Sequence, residues 1–74
     1  MNYYFTMNNG TQFVYDENDV CTDAGVQNEI TAAYCDMNDL EWDDMLTAME
    51  KRCNEMQRIK TVGEFTAFLN SIEY

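Results

Sequence analysis

The sequence predicts an α+β domain in which an N-terminal β-hairpin packs against about three helices. Three observations carry this. Two aromatic and β-branched runs flank an Asn-Asn-Gly turn, and apolar residues recur at helical spacing from about residue 23 onward. A length of 74 residues, with 46% hydrophobic content and ten aromatics (one Trp, five Tyr, four Phe), fills one core and leaves no room for a second. A single domain over 1–74 follows.

The hairpin spans about 3–15. Tyr3 to Met7 and Thr11 to Tyr15 are strand-forming runs around Asn8-Asn9-Gly10. A two-residue turn would leave aromatics on both faces. A three-residue loop, with Gly10 at a positive φ, pairs Tyr3 with Tyr15 and Phe5 with Phe13. It collects Tyr3, Phe5, Met7, Phe13 and Tyr15 on one face, opposite Tyr4, Thr6, Gln12 and Val14. Register follows the choice that buries one face cleanly, so the three-residue loop is preferred.

The helices are placed at about 23–37, 39–59 and 62–72. In the first, Val26, Ile30, Ala33, Tyr34 and Met37 recur at helical spacing behind Thr22 or Asp23 as N-cap. Asn38 then reads as a second N-cap, with Glu41 three residues on. The long helix that follows carries an apolar stripe of Trp42, Met45, Leu46, Met49, Cys53 and Met56. Thr61-x-x-Glu64 is a capping box that opens the last helix, whose apolar residues are Val62, Phe65, Phe68, Leu69 and Ile72.

Charge is the strongest functional signal. Fourteen acids against four bases give −10, and all four bases (Lys51, Arg52, Arg58, Lys60) fall within ten residues. Residues 1–50 hold eleven acids and no base. Such a field disfavours direct binding to nucleic acid or to an anionic membrane and favours a basic protein surface as partner. Solubility alone would be served equally well by mixed charges, so the fifty-residue absence of Lys and Arg points to a functional acidic face. Asp36, Asp39, Asp43 and Glu50 fall on one face of a continuous helix, with Asp44 beside them. Asp16, Glu17, Asp19 and Asp23 form a second acidic edge. The expected partner-binding residues are Asp16, Glu17, Asp19, Asp23, Asp36, Asp39, Asp43 and Asp44. Tyr4, on the hairpin's otherwise polar face, is the candidate exposed anchor, followed by Tyr74. The other aromatics and methionines read as core.

Catalysis and metal binding have little support. There is no His, which removes the commonest general base and every nucleophile–His pair. Asp43 and Asp44 point about 100° apart on a helix. Asp16-x-Asn18 and Asp36-x-Asn38 lack the third ligand and the Gly of a calcium loop. Cys21, Cys35 and Cys53 are odd in number and lack the close spacing of zinc ligands, so they read as structural thiols, with Cys53 in the long helix's stripe. No enzyme, cofactor or metal is expected. No apolar run approaches the 18 residues of a membrane helix, and the start lacks the pattern of a secretion signal, so a cytoplasmic protein is expected.

In size and charge the chain resembles phage-encoded acidic inhibitors: anti-CRISPR proteins, anti-restriction proteins and DNA-mimicking inhibitors of repair glycosylases. The resemblance implies an inhibitor that docks on a basic nucleic-acid-binding surface of a host effector and blocks DNA or RNA. The alternative is an acidic adaptor or subunit that meets a basic protein surface unrelated to nucleic acid. A third reading is a standalone protein whose charge only confers solubility.

Overall fold

The hairpin folds in the register that buries one face. In the computed structural model, which describes residues 1–73, β1 (Asn2–Thr6) and β2 (Gln12–Asp16) pair antiparallel. Tyr3 faces Tyr15 and Phe5 faces Phe13. The Met7 amide donates to the Thr11 carbonyl at 2.8 Å, and Gly10 closes the loop at φ 90°, a conformation that costs Gly nothing. Phe5 stacks on Phe13 with centroids 5.4 Å apart, and Tyr15 meets Phe13 edge-on at 5.7 Å. Tyr4, Thr6, Gln12 and Val14 are exposed on the other face.

After the hairpin come α1 (Ala24–Asn38), α2 (Trp42–Glu50), the single turn α3 (Cys53–Met56) and α4 (Val62–Asn70). The fold is α+β: helices cover the inner face of the two-stranded sheet. Of the two N-caps the sequence offers for α1, Thr22 and Asp23, the structure uses Asp23, whose carboxylate accepts the Gly25 amide at 3.0 Å. α4 also starts as expected. The Thr61 hydroxyl accepts the Glu64 amide, while the Glu64 carboxylate accepts the Thr61 hydroxyl and the Lys60 amide. Val62, Phe65, Phe68, Leu69 and Ile72 are all buried, and α4 stops at Asn70 with Ser71 closing its last turn.

The continuous helix over 39–59 does not form. The chain turns at Lys51–Arg52, makes one turn of helix at 53–56 and turns again to Ile59. Twenty-one helical residues would run about 30 Å, close to the molecule's longest dimension of 31 Å. Such a rod would carry Ile59 away from the core, yet Ile59 is buried there. The expected stripe is therefore only partly right. Met45 and Met49 are buried and Leu46 and Met56 half-buried, but Trp42 and Cys53 are exposed. Met37, expected inside, is exposed as well. Asn38 is the last residue of α1 rather than a cap for α2, and its side-chain amide donates to the Tyr34 carbonyl.

A short antiparallel pairing ties the two halves of the chain together. Val20 is bridged to Thr61, the Cys21 amide donates to the Lys60 carbonyl, and the Val62 amide donates to the Asp19 carbonyl, each bond at 2.9 Å. The Gly63 amide donates to the Glu17 carbonyl at 2.9 Å. A Cβ on Gly63 would stand 3.1 Å from that same carbonyl oxygen, so any other residue here must push the Glu17 backbone back by a few tenths of an ångström.

Candidate partner-binding surface

The candidate acids divide into those that hold the fold and those that do not. Asp16 accepts the Asn18 amide, and Asp19 accepts the Asp16 amide, both at 2.9 Å in the tight turn after β2. Asp23 caps α1. Asp36, near the end of α1, accepts the Asn8 amide at 2.9 Å and fastens the hairpin turn to the helix. Glu17 lies 3.5 Å from the Met1 ammonium. Each of these five carboxylates has a local structural task, which short polar side chains commonly perform at turns and caps.

The other group sits at the corner between α1 and α2. Asp39 and Glu41 lie in the connection, and Asp43 and Asp44 in the first turn of α2. Among the described residues, none of these four carboxylates takes part in a hydrogen bond or an ion pair. The two ion pairs found are Met1–Glu17 and Arg52–Glu55. Asp43 and Asp44 suit the positive end of the α2 dipole. Asp39 does not suit its position. It stands at the C-terminal end of α1, where the dipole disfavours negative charge, and at φ 59°, the left-handed region that favours glycine. Its amide and that of Leu40 both donate to the Cys35 carbonyl, the backbone closure that usually recruits Gly.

Because the chain reverses at Asp39, the face expected to join Asp36, Asp39, Asp43 and Glu50 on one helix does not exist. Asp36 and Asp39 end one helix, and Asp43 and Glu50 belong to the next. What the corner does gather is Asp39, Glu41, Asp43 and Asp44 with two exposed apolar side chains, Met37 at 54% and Trp42 at 36%. Glu41 and the exposure of Met37 and Trp42 escaped sequence reading, because helical spacing assigns both apolar residues to a buried stripe. Tyr4 is 71% exposed, as expected of an anchor, on the side of the hairpin turned away from the helices. Tyr74 lies outside the described residues.

Burial dominates the shifted groups inside the fold, and nearby acids add to it at Tyr15 and Cys35. Burial first, then the charges of Glu29, Cys21 and Asp19, push the Tyr15 phenol above its ordinary value. Burial alone pushes the Cys21 thiol up to about 11. Cys35 is raised by burial and by Asp36. Among the described residues no three His, Cys, Asp or Glu side chains converge as metal ligands. Two clefts of about 380 Å³ are present away from the acidic corner, one of them lined by Arg52, Arg58 and Phe68. No helix is long and apolar enough to cross a membrane. Compared with protein families, curated proteins and solved structures, the chain matches none.

Proposed function

We propose that this chain is a small acidic inhibitor, encoded by a phage or mobile element, of the anti-CRISPR or DNA-mimic type. It binds a basic nucleic-acid-binding surface of a host effector in the cytoplasm and blocks engagement of DNA or RNA, without catalysis. Asp39 carries this reading. Its backbone conformation and its place at a helix C-terminus both oppose folding, and its carboxylate has no bond within the described residues. A residue that departs from local preference with no return inside the fold supports the reading of a partner outside it.

In this mechanism Asp39, Asp43 and Asp44 take the Lys and Arg side chains that otherwise hold phosphates, with Glu41 beside them. Trp42 and Met37 supply apolar contact among the charges, of the kind enriched at interface centres. Asp16, Glu17, Asp19, Asp23 and Asp36 add to the steering field while holding their turns and caps. Tyr4 offers a second contact on the hairpin.

The test is capture from host lysate, with and without nuclease, using wild-type protein and the triple variant D39K/D43K/D44K as baits. A nucleic-acid-binding protein held by the wild type after nuclease treatment and lost by the variant supports the reading. Competition between the captured protein's DNA or RNA and the inhibitor then decides the mode. If both bind the target together without loss of affinity, the mimic reading is wrong and the adaptor reading takes its place.

A further inference from the structure

Asn9-Gly10 is the chain's one asparagine–glycine pair, and it sits at the tip of the hairpin. Every other asparagine is followed by a residue whose side chain shields its amide nitrogen. Glycine leaves that nitrogen open to the asparagine side chain beside it. The surroundings are open too. Asn8, Asn9, Gly10 and Thr11 are all exposed, and a Cβ on Gly10 would have nothing within 4 Å.

The turn prepares one reacting group and guards the other. The Thr11 amide donates to Asn9 Oδ1 at 2.9 Å. That bond polarises the side-chain carbonyl and stabilises the negative charge that gathers on Oδ1 when a nucleophile adds to Cγ. The Gly10 amide donates to the Met7 carbonyl at 2.9 Å, so its nitrogen gives up a proton only when this bond opens. Exposed backbone bonds at a loop tip open at low cost. Among the described residues, one hydrogen bond ties the turn to the helices: the Asn8 amide donates to the Asp36 carboxylate at 2.9 Å.

We infer that Asn9 is a site of spontaneous modification, converted to aspartate and isoaspartate, and that the Asp36–Asn8 bond restrains the conversion. When the turn opens, the Gly10 nitrogen loses its proton to water and bonds to Asn9 Cγ. The bond from Cγ to the side-chain nitrogen breaks, and ammonia leaves with a proton returned by water. The cyclic imide then takes up one water. Opening at Cγ gives aspartate with the backbone path unchanged. Opening at the backbone carbonyl carbon of residue 9 gives isoaspartate, whose chain runs through Cγ. Water is the only co-reactant, and the chain exchanges an amide for a carboxylate.

The two products differ in consequence. Aspartate keeps an oxygen for the Thr11 amide, and the hairpin register survives. Isoaspartate lengthens the backbone inside a three-residue loop and disturbs the closure that Met7 makes with Gly10 and Thr11. Either product adds a negative charge at the end of α1 that carries Asp36 and Asp39. The acidic face therefore grows more acidic with time, whichever partner it meets.

Incubation of the full chain for weeks in mildly alkaline buffer at body temperature tests this, read by intact mass, anion exchange and peptide mapping. The expected result is a more acidic species, heavier by the exchange of NH2 for OH. The change maps to residue 9 and includes both aspartate and isoaspartate. Asn9→Gln abolishes it. Asp36→Ala keeps the wild-type circular-dichroism spectrum and converts several-fold faster. Asp36→Asn keeps the shape, weakens the bond by removing its charge, and serves if the alanine variant does not fold. A folded wild type that stays unmodified at Asn9 while the unfolded chain converts overturns the inference. Conversion confined to other asparagines overturns it too, and an unchanged rate in the folded Asp36 variant overturns the restraint.

Discussion

The Arg52 guanidinium lies over the Phe68 ring, 4.8 Å from its centroid, and donates to the Ser71 carbonyl at 3.2 Å. It also pairs with Glu55 through both Nε and Nη2. One side chain at the break after α2 thus ties that break to α3 and to the end of α4. The hydrogen bond from Arg52 holds the Glu55 carboxyl below its ordinary value.

Arg52→Ala should lower the melting temperature and raise hydrogen exchange at the end of α4. Arg52→Lys should recover only part of the loss, because an ammonium cannot span Glu55, Ser71 and the ring together. Since Glu55 titrates lower folded than unfolded, its contribution is present above the ordinary carboxylate value. It should fade as pH falls through the folded one. A melt series in acid on wild type and Glu55→Gln reads this directly.

Asp39→Gly should stabilise the isolated protein by about 1 kcal/mol, through relief of the left-handed backbone and of the helix-end charge. The same substitution should weaken partner binding. Chemical denaturation and a binding isotherm check the two halves. A variant neither more stable nor weaker in binding would remove the observation on which the functional reading stands.

Gly63→Ala should destabilise by about 1 kcal/mol or more, although alanine is the better helix former by a similar amount. The added methyl meets the Glu17 carbonyl oxygen at 3.1 Å, and that oxygen is fixed by the Gly63 amide itself. Thermal melting decides the sign.

The cysteines should behave unequally. Cys53 is exposed and should react with a thiol reagent in the native state, whereas buried Cys21 and Cys35 should react only on unfolding. Cys53→Ser should change stability by less than about 0.5 kcal/mol. The Cys21 thiol titrates at about 11 folded against an ordinary 9.0. The unfolded chain therefore loses its proton first, and stability should fall by about 2 kcal/mol as pH rises from 9 to 11. Cys21→Ala should flatten that alkaline slope.

Raising salt from low to physiological should raise the melting temperature. The 4840 Å² surface carries a formal net charge of −10, and with two ion pairs among the described residues most carboxylates have no cation beside them. Partner binding should weaken over the same range, chiefly through a slower on-rate. Reversal of Glu64 and Glu73 should matter far less than D39K/D43K/D44K.

The sequence by itself determined the features set by neighbours along the chain. The hairpin register follows from a period of two and a glycine at φ 90°, and the caps at Asp23 and Thr61 follow from side chains bonding amides two or three residues on. The helix-rich α+β class follows from apolar spacing. The overall charge and its fifty-residue asymmetry need no coordinates at all. Tertiary structure decided what depends on distant partners. The long helix breaks because Ile59 must return to the core and Lys60 must reach Cys21, a pairing between residues 39 apart that no local pattern announces. That break, with the reversal at Asp39, exposes Trp42, Met37 and Cys53, which helical periodicity alone would bury. It also separates the acids into those that hold turns and those left unbonded at the α1–α2 corner. Periodicity encodes which side of a helix is apolar; where the helix stops is settled by the packing of the whole chain.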